Sequence, residues 1–153
     1  MQNIHLRAAT LEDLSILYQF EQGIVSAERP FDTTLKSGHI NYYDLQAYVE
    51  DSDIQVIVAE VDGELAGSGY VKINKAKSYH SYEYYAYVGF IYVAPSHRRK
   101  GISQLIIKEL ISWAKTKGLT EIKLDVYVEN EIAVAAYEAI GFKKQLVEMR
   151  MEI

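Results

Sequence analysis

Cysteine is absent from this chain of 153 residues, which excludes a disulfide framework, a thiolate metal site and a cysteine nucleophile. Proline is scarce as well: Pro30 and Pro95 are the only two. No Ser/Gly-rich linker accompanies them, so nothing divides the chain, and a single domain over residues 1–153 is expected. No apolar run approaches the ~20 residues a membrane-spanning helix needs. The opening MQNIHLRAATLEDL lacks the basic-then-apolar plan of a secretory leader. A cytoplasmic protein without a membrane partner is the expectation. Positive charge is not in excess either: the formal net charge is −5, which argues against a general nucleic-acid binder. The four histidines, at positions 5, 39, 80 and 97, show no ligand spacing, so no metal is expected.

What is present is a globular composition, 49% hydrophobic and 24% charged, able to form a packed core. Ile4, Leu6 and Ala8 alternate as in a strand. Thr10 then precedes LEDLSILYQF with Asp13 three residues on, an acidic helix start whose buried stripe would be Leu11, Leu14, Leu17 and Tyr18. Periodicity fails from Ser26 to Ser37, which predicts a loop, and a short helix is expected around Ile40 to Val49. In IQVIVAEVDGELAGSGYVKI two β-rich runs flank Asp62-Gly63, a hairpin signal. The aromatic, β-branched SYEYYAYVGFIYV is a third strand stopped by Pro95. After Gly101, Ile102, Leu105, Ile106, Glu109, Leu110 and Trp113 recur at helical spacing up to Gly118. EIKLDVYV alternates again, ENEIAVAAYEAI is a short helix ended by Gly141, and FKKQLVEMRMEI is a closing strand. The order predicts a mixed α/β sheet in which the strands on either side of the long helix are parallel neighbours.

The stretch HRRKGIS poses the functional question. Three consecutive cations, Arg98, Arg99 and Lys100, stand before Gly101 and an apolar helix in an acidic chain. A solvated basic turn accounts for them. So does an anion cradle, because the free N–H groups of a helix start and nearby cations both attract phosphate. The Gly-x-x-x-x-Gly-Lys-Ser/Thr of a phosphate-binding loop is missing, which disfavours nucleotide hydrolysis.

IYVAPSHRRKGIS resembles the acetyl-CoA signature of the GNAT superfamily of N-acetyltransferases, with Arg98, Gly101 and Ser103 at patterned places. NEIAVAAYEAIGF resembles its second signature through Asn130, Tyr137, Gly141 and Phe142. Ser103 departs from the usual Gly or Ala and is still small. The resemblance covers essentially the whole chain. It implies a mostly antiparallel α/β sheet of roughly six to seven strands, a splayed parallel pair at its centre and about four flanking helices. It implies acetyl-CoA as co-substrate, with the amides of Arg98, Arg99, Lys100, Gly101, Ile102 and Ser103 on the pyrophosphate. Ile91, Tyr92 and Val93 would run along the pantetheine arm, with Asn130, Ala133 and Tyr137 also against the cofactor.

The resemblance makes Tyr137 the catalytic acid, protonating the CoA thiolate; core packing is the alternative for a Tyr on a short helix. Many relatives carry a Glu base at the position of Tyr87, and phenol is a poor base at neutral pH. Glu83, at the same strand parity, is the second catalytic candidate, acting through water, with a surface carboxylate as its other reading. Glu28, Arg29, Phe31 and Asp32 are candidates for the acceptor pocket, the acids for an amine and Arg29 for a carboxylate, with a plain solvated loop as their other reading. Tyr85 and Tyr87, among five tyrosines in residues 79–87, suit cation–π capture of an amine. The expected activity is direct acetyl transfer to a primary amine of a small molecule or peptide. The rival is a noncatalytic acyl-CoA-binding or regulatory module with the same fold. Dimers are common in the family, so a homodimer is an option.

Overall fold

The computed structural model describes residues 3–153. Strand β1 (Ile4–Ala8) leads through a 3-10 turn (Leu11–Asp13) into helix α1 (Leu14–Glu28). Helix α2 (Leu45–Glu50) precedes strands β2 (Ile54–Val61), β3 (Glu64–Lys75) and β4 (Tyr84–Val93). Helix α3 (Ile102–Thr116), the short strand β5 (Ile122–Leu124) and helix α4 (Glu131–Ile140) complete the elements. One sheet holds all five strands in sequence order, antiparallel from β1 to β4, with β5 parallel to β4.

Alternation along the strands separates two cores. Ile57, Ala59, Val71, Ala86 and Val88 face α3, which supplies Ile102, Ile106, Leu110 and Ala114. Val56, Val58, Tyr70 and Phe90 face α1 and α2, which supply Leu17, Phe20, Ile24 and Leu45. Asp62 and Gly63 both take positive φ, 52° and 85°, as the hairpin signal predicts. Gly118, at φ 74°, ends α3 while Leu119 N reaches back to Ala114 O at 3.2 Å.

Five expectations are corrected. The sheet has five strands among the described residues rather than six to seven. The closing segment 143–153 alternates like a strand but has no ladder, because β5 is paired only over three residues and presents no length of edge to it. The buried face of α1 is Leu17, Phe20, Glu21, Ile24 and Val25, while Leu11 and Tyr18 are 49% and 40% exposed. The first turn is 3-10, so Leu11 lies off the α-helical stripe, and the helix continues through Ser26 to Glu28 because its apolar spacing runs on to Val25. Finally, α2 begins only at Leu45, where Asp44 Oδ1 accepts from Ala47 N at 3.2 Å and fixes its start.

Candidate active site

The site begins with a fault in β4. Ser68 pairs with Tyr92 but Tyr70 with Gly89, so Phe90 and Ile91 together oppose Gly69. This β-bulge reverses the alternation: Ala86 and Val88 face α3, whereas beyond the bulge Phe90 packs on the α1 side. Phe90 takes φ 59°, an unfavourable conformation for a bulky residue. Its carbonyl is held by the buried Ser68 hydroxyl at 3.1 Å.

On its other edge β4 pairs with β5 only at Ala86, Tyr87 and Val88. From Gly89 to Val93 that edge has no strand beside it among the described residues, which leaves Ile91, Tyr92 and Val93 open; the parallel pair lies at the edge of the sheet and not at its centre as expected, because no strand pairs beyond β5. Tyr92 turns to the α1 side, its ring 5.0 Å from that of Phe20. A Cβ added at Gly23 would lie 2.6 Å from the Tyr92 ring, so Gly23 is what lets the ring seat.

The parted edge leads into the basic turn. Arg99 and Gly101 both adopt positive φ, 65° and 76°, curling residues 98–101 ahead of α3. Gly101 supplies no side-chain cap and the first turn of α3 contains no acid, which leaves its orphan amides available to an outside acceptor. Nothing lies within 4 Å of where a Gly101 Cβ would stand. The Arg98 side chain points back, its Nε donating to Val93 O at 3.0 Å and its guanidinium 5.9 Å from the centre of the Tyr92 ring. Lys100 and Arg99 are exposed beside it. The half-buried His97 keeps an Nδ1 without a partner. Open space, uncapped amides and surplus cations are what a diphosphate requires.

Further along the chain lies α4. Asn130 Oδ1 accepts from Ala133 N at 3.3 Å, capping the helix. Tyr137 packs edge-on to Phe142, ring centres 6.1 Å apart. Burial raises the Tyr137 phenol, and the charge of Glu28 adds to this.

Glu28, at the end of α1, is the electrostatic centre. Its charge reaches Tyr42, Tyr43, Tyr127 and Tyr137. Burial pushes its own carboxyl up, the Tyr42 hydroxyl beside it opposes this in part, and the charge of Asp32 pushes the same way as burial. Around it, Tyr127 Oη donates to Asp32 Oδ2 at 2.9 Å, and Phe31 stacks on the Tyr127 ring at 6.2 Å. Burial first, then the bond to Asp32, lifts the Tyr127 phenol to about 12. Tyr42 Oη is buried beside the Glu28 carboxylate. Tyr43 packs edge-on against Tyr70 and Phe90, each 5.4 Å away. Further along β4, Tyr87 Oη donates to Asp125 Oδ2 at 2.8 Å, and burial raises that phenol more than the carboxylate does.

The structure thus sets Phe31 and Asp32 against Tyr127 and Tyr137 within the field of Glu28, and it pairs Tyr87 with Asp125. Arg29 is drawn away, its Nη2 donating to Lys36 O at 3.0 Å and to Gly38 O. Glu83 is exposed in the loop before β4, its carbonyl accepting from Ala76 N at 2.8 Å, about 13 Å along the strand from Tyr87. Tyr85 is engaged elsewhere, with Lys123 Nζ 4.4 Å from its ring centre. Sequence reasoning missed Asp125, Tyr42, Tyr43, Tyr70 and Tyr127. Asp125 and Tyr127 share the polar parity of EIKLDVYV, which reads as a solvated face until β4 is placed beside it.

The profile of the acetyltransferase (GNAT) family matches residues 21–142. Aminoglycoside N(6')-acetyltransferase type 1 of Acinetobacter haemolyticus is 38% identical over 60 residues, which are 37% of this chain and 41% of that protein. Streptothricin acetyltransferase of Streptomyces lavendulae is 34% identical over 94 residues, 61% of this chain and 47% of that one. The chain therefore spans less than half the length of either curated relative. A predicted acetyltransferase of Clostridium acetobutylicum, solved with acetyl-CoA, shares the fold at TM-score 0.76 over 98% of this chain and 96% of that one, with 14% identity.

Proposed function

This chain belongs to the GNAT family of acetyltransferases, and from that premise we propose that it moves an acetyl group from acetyl-CoA directly to a primary amine of a cationic small molecule or peptide. We propose further that it works as a single domain in the cytoplasm; no helix of the described residues is long and apolar enough to cross a membrane. The observation that carries the acceptor class is that Glu28, Asp32 and Asp125 each stand beside a tyrosine hydroxyl, that of Tyr42, Tyr127 and Tyr87 in turn. Three carboxylates among tyrosines, one of them, Glu28, partly desolvated, favour a cation over an anion or a neutral alcohol. The names of the curated relatives, acetyltransferases of aminoglycosides and streptothricin, point to small molecules.

In this reading the co-substrate supplies the activated thioester. The amides of residues 98–103 and the positive end of α3 receive its diphosphate, with Arg99 and Lys100 alongside. The free edge of Ile91, Tyr92 and Val93 pairs with its amide-bearing arm as a strand would. Asn130, by capping α4 through Ala133, sets the pitch at which Tyr137 faces the parted sheet. Asp32 and Asp125, each oriented by a tyrosine hydroxyl, attract and align the incoming ammonium. Glu28 takes the proton the ammonium must lose, a task its raised carboxyl suits better than an ordinary surface Glu. As the new C–N bond forms and the C–S bond breaks, the Tyr137 hydroxyl donates its proton to the departing sulfur. Glu83 stays a proposal only as a water-linked base, and its distance along the strand speaks for Glu28 instead.

The rival, a noncatalytic acyl-CoA-binding module, draws on Tyr87 standing where many relatives carry the base. The Tyr87–Asp125 pair restores a carboxylate to that place. A screen of polyamines, aminoglycosides, amino acids and peptide N-termini for thiol release from acetyl-CoA separates the two. Stimulation by the cationic amines supports transfer, whereas tight acetyl-CoA binding with no thiol release across the panel supports the rival.

A further inference from the structure

Residues 39–44 form no helix or strand, yet the segment from Ile40 to Tyr43 is gripped by two consecutive side chains of α1. Gln22 Nε2 donates to Ile40 O at 2.6 Å, and Gln22 Oε1 accepts from Ile40 N at 3.3 Å. Glu21 Oε2 accepts from both Tyr42 N and Tyr43 N, each at 2.9 Å. None of these three amides donates to another backbone group among the described residues, so the two side chains do for the segment what a neighbouring strand would. Glu21 is 0% exposed, and its Oε1 is buried with no partner. Burying that oxygen costs stability, a cost that an apolar side chain serving packing alone would avoid.

Glu21 and Glu28 stand two turns apart on one face of α1, about 10 Å along its axis. Tyr42 spans that interval, with its N–H on Glu21 and its hydroxyl beside the Glu28 carboxyl. Tyr43, held by the same oxygen, sets its ring 5.4 Å from those of Tyr70 and of Phe90 in the β4 bulge. We infer that Glu21 is a positioning residue for the acceptor site: its grip on the main chain of Tyr42 and Tyr43 places the Tyr42 hydroxyl against the Glu28 carboxyl and fixes the loop on the bulge. The placement stands on these contacts, and its consequence for turnover rests on Glu28 as the base of the proposed transfer. Around Glu28, Asp32 follows α1, Tyr43 precedes α2, Tyr127 follows β5 and Tyr137 lies on α4. The charges of Arg150 and Glu148 fall on Asp32 and Tyr127 in turn. Only the Tyr42 hydroxyl acts on Glu28 as a hydrogen-bond donor. A donor to the ionised form holds a carboxyl down, so releasing Glu21 should act on Glu28 in the same direction as removing that hydroxyl.

Carboxyl-carbon NMR of the intact chain, with the Glu28 signal assigned by its loss in Glu28→Gln, follows the titration of Glu28 independently of turnover. Tyr42→Phe should move the midpoint up. Glu21→Leu should move it the same way, and combining the two should move it no further than Tyr42→Phe alone. Glu21→Asp, one carbon shorter, takes the place of Glu21→Leu if that variant does not fold. Glu21→Gln, whose side-chain oxygen can still accept both amides, should keep the wild-type midpoint. The acidic limb of kcat/KM for a polyamine should follow the midpoint in each variant, while acetyl-CoA affinity by calorimetry holds. A wild-type midpoint in Tyr42→Phe, a folded Glu21→Leu or Glu21→Asp with the Glu28 midpoint unmoved, or a double variant that moves beyond Tyr42→Phe would overturn the inference. Midpoints that move as stated beside a fully active Glu28→Gln would uphold the placement and remove Glu28 as the base.

Discussion

Glu28 carries two opposed consequences of its position. Its carboxyl is raised mainly by burial, so it is ionised in the folded state at some energetic penalty. An acid whose folded pKa lies above its unfolded one loses stabilisation as pH rises through that interval and regains it as pH falls. Glu28→Gln should therefore raise the melting temperature at neutral pH while lowering kcat/KM for a cationic acceptor by about 10²-fold. Acetyl-CoA affinity should hardly move. In the intact enzyme the acidic limb of kcat/KM should lie above the ordinary glutamate value of about 4.3, and it should vanish in the Gln variant. A variant that melts lower and keeps its activity would remove Glu28 from the proposed role. Tyr137→Phe should lower kcat by about 10²-fold, again with acetyl-CoA binding retained, as stopped-flow turnover and calorimetry together would show. Glu28 and Tyr137 were visible in the sequence as candidates. Asp125 and Tyr127 were not, because what makes them functional is contact with residues 38 and 95 positions away.

At the level of elements, one turn and one ion-pair cluster decide whether the opening keeps its shape. Gly101→Ala meets no side chain, so its effect is confined to the positive φ and to the approach of the diphosphate. It should cost about 1 kcal/mol of stability and weaken acetyl-CoA binding about tenfold, measured by denaturation and calorimetry. On the far edge Arg7 of β1 grips Asp13 before α1 through two bonds, 2.8 and 2.9 Å, and also Glu60 of β2. The guanidinium holds the Asp13 carboxyl below its usual range. The depressed value means that this stabilisation is complete above the unfolded aspartate value of about 3.9 and is lost as pH falls through the folded one. Arg7→Ala should lose about 1–3 kcal/mol at pH 7, and urea titrations should show the gap to wild type closing as pH falls beneath the ordinary aspartate range. The helix starts, hairpin and α3 were legible because local spacing and caps specify them. The closing strand was not, because alternation states that a segment suits a sheet but not that an edge within the same chain awaits it. The extension of α1 past Ser26 escaped for a related reason: its polar last turn is held by the helix before it and by the acceptor loop.

For the molecule as a whole, charge and fold act together. A net charge of −5, with Glu28, Asp32 and Asp125 in the proposed acceptor site, should draw cationic acceptors from a distance, while the basic turn takes the anionic co-substrate. The apparent KM for a polyamine should rise several-fold between about 20 mM and 300 mM salt as the field is screened, with kcat nearly constant; a flat KM would detach recognition from the acidic cluster. The fold class was readable because two motifs and the order of elements agreed over the full length. The short β5 and the sheet's count of five followed only from tertiary pairing.

The decisive measurement is thiol release from acetyl-CoA by the intact protein against a polycationic amine, with Glu28→Gln and Tyr137→Phe run beside it at matched acetyl-CoA saturation. The account predicts acceptor-dependent release by wild type, a loss of about 10²-fold in each variant, and unaltered co-substrate affinity in all three. Equal rates in the three proteins, or wild-type release that no amine stimulates although acetyl-CoA binds, would contradict it.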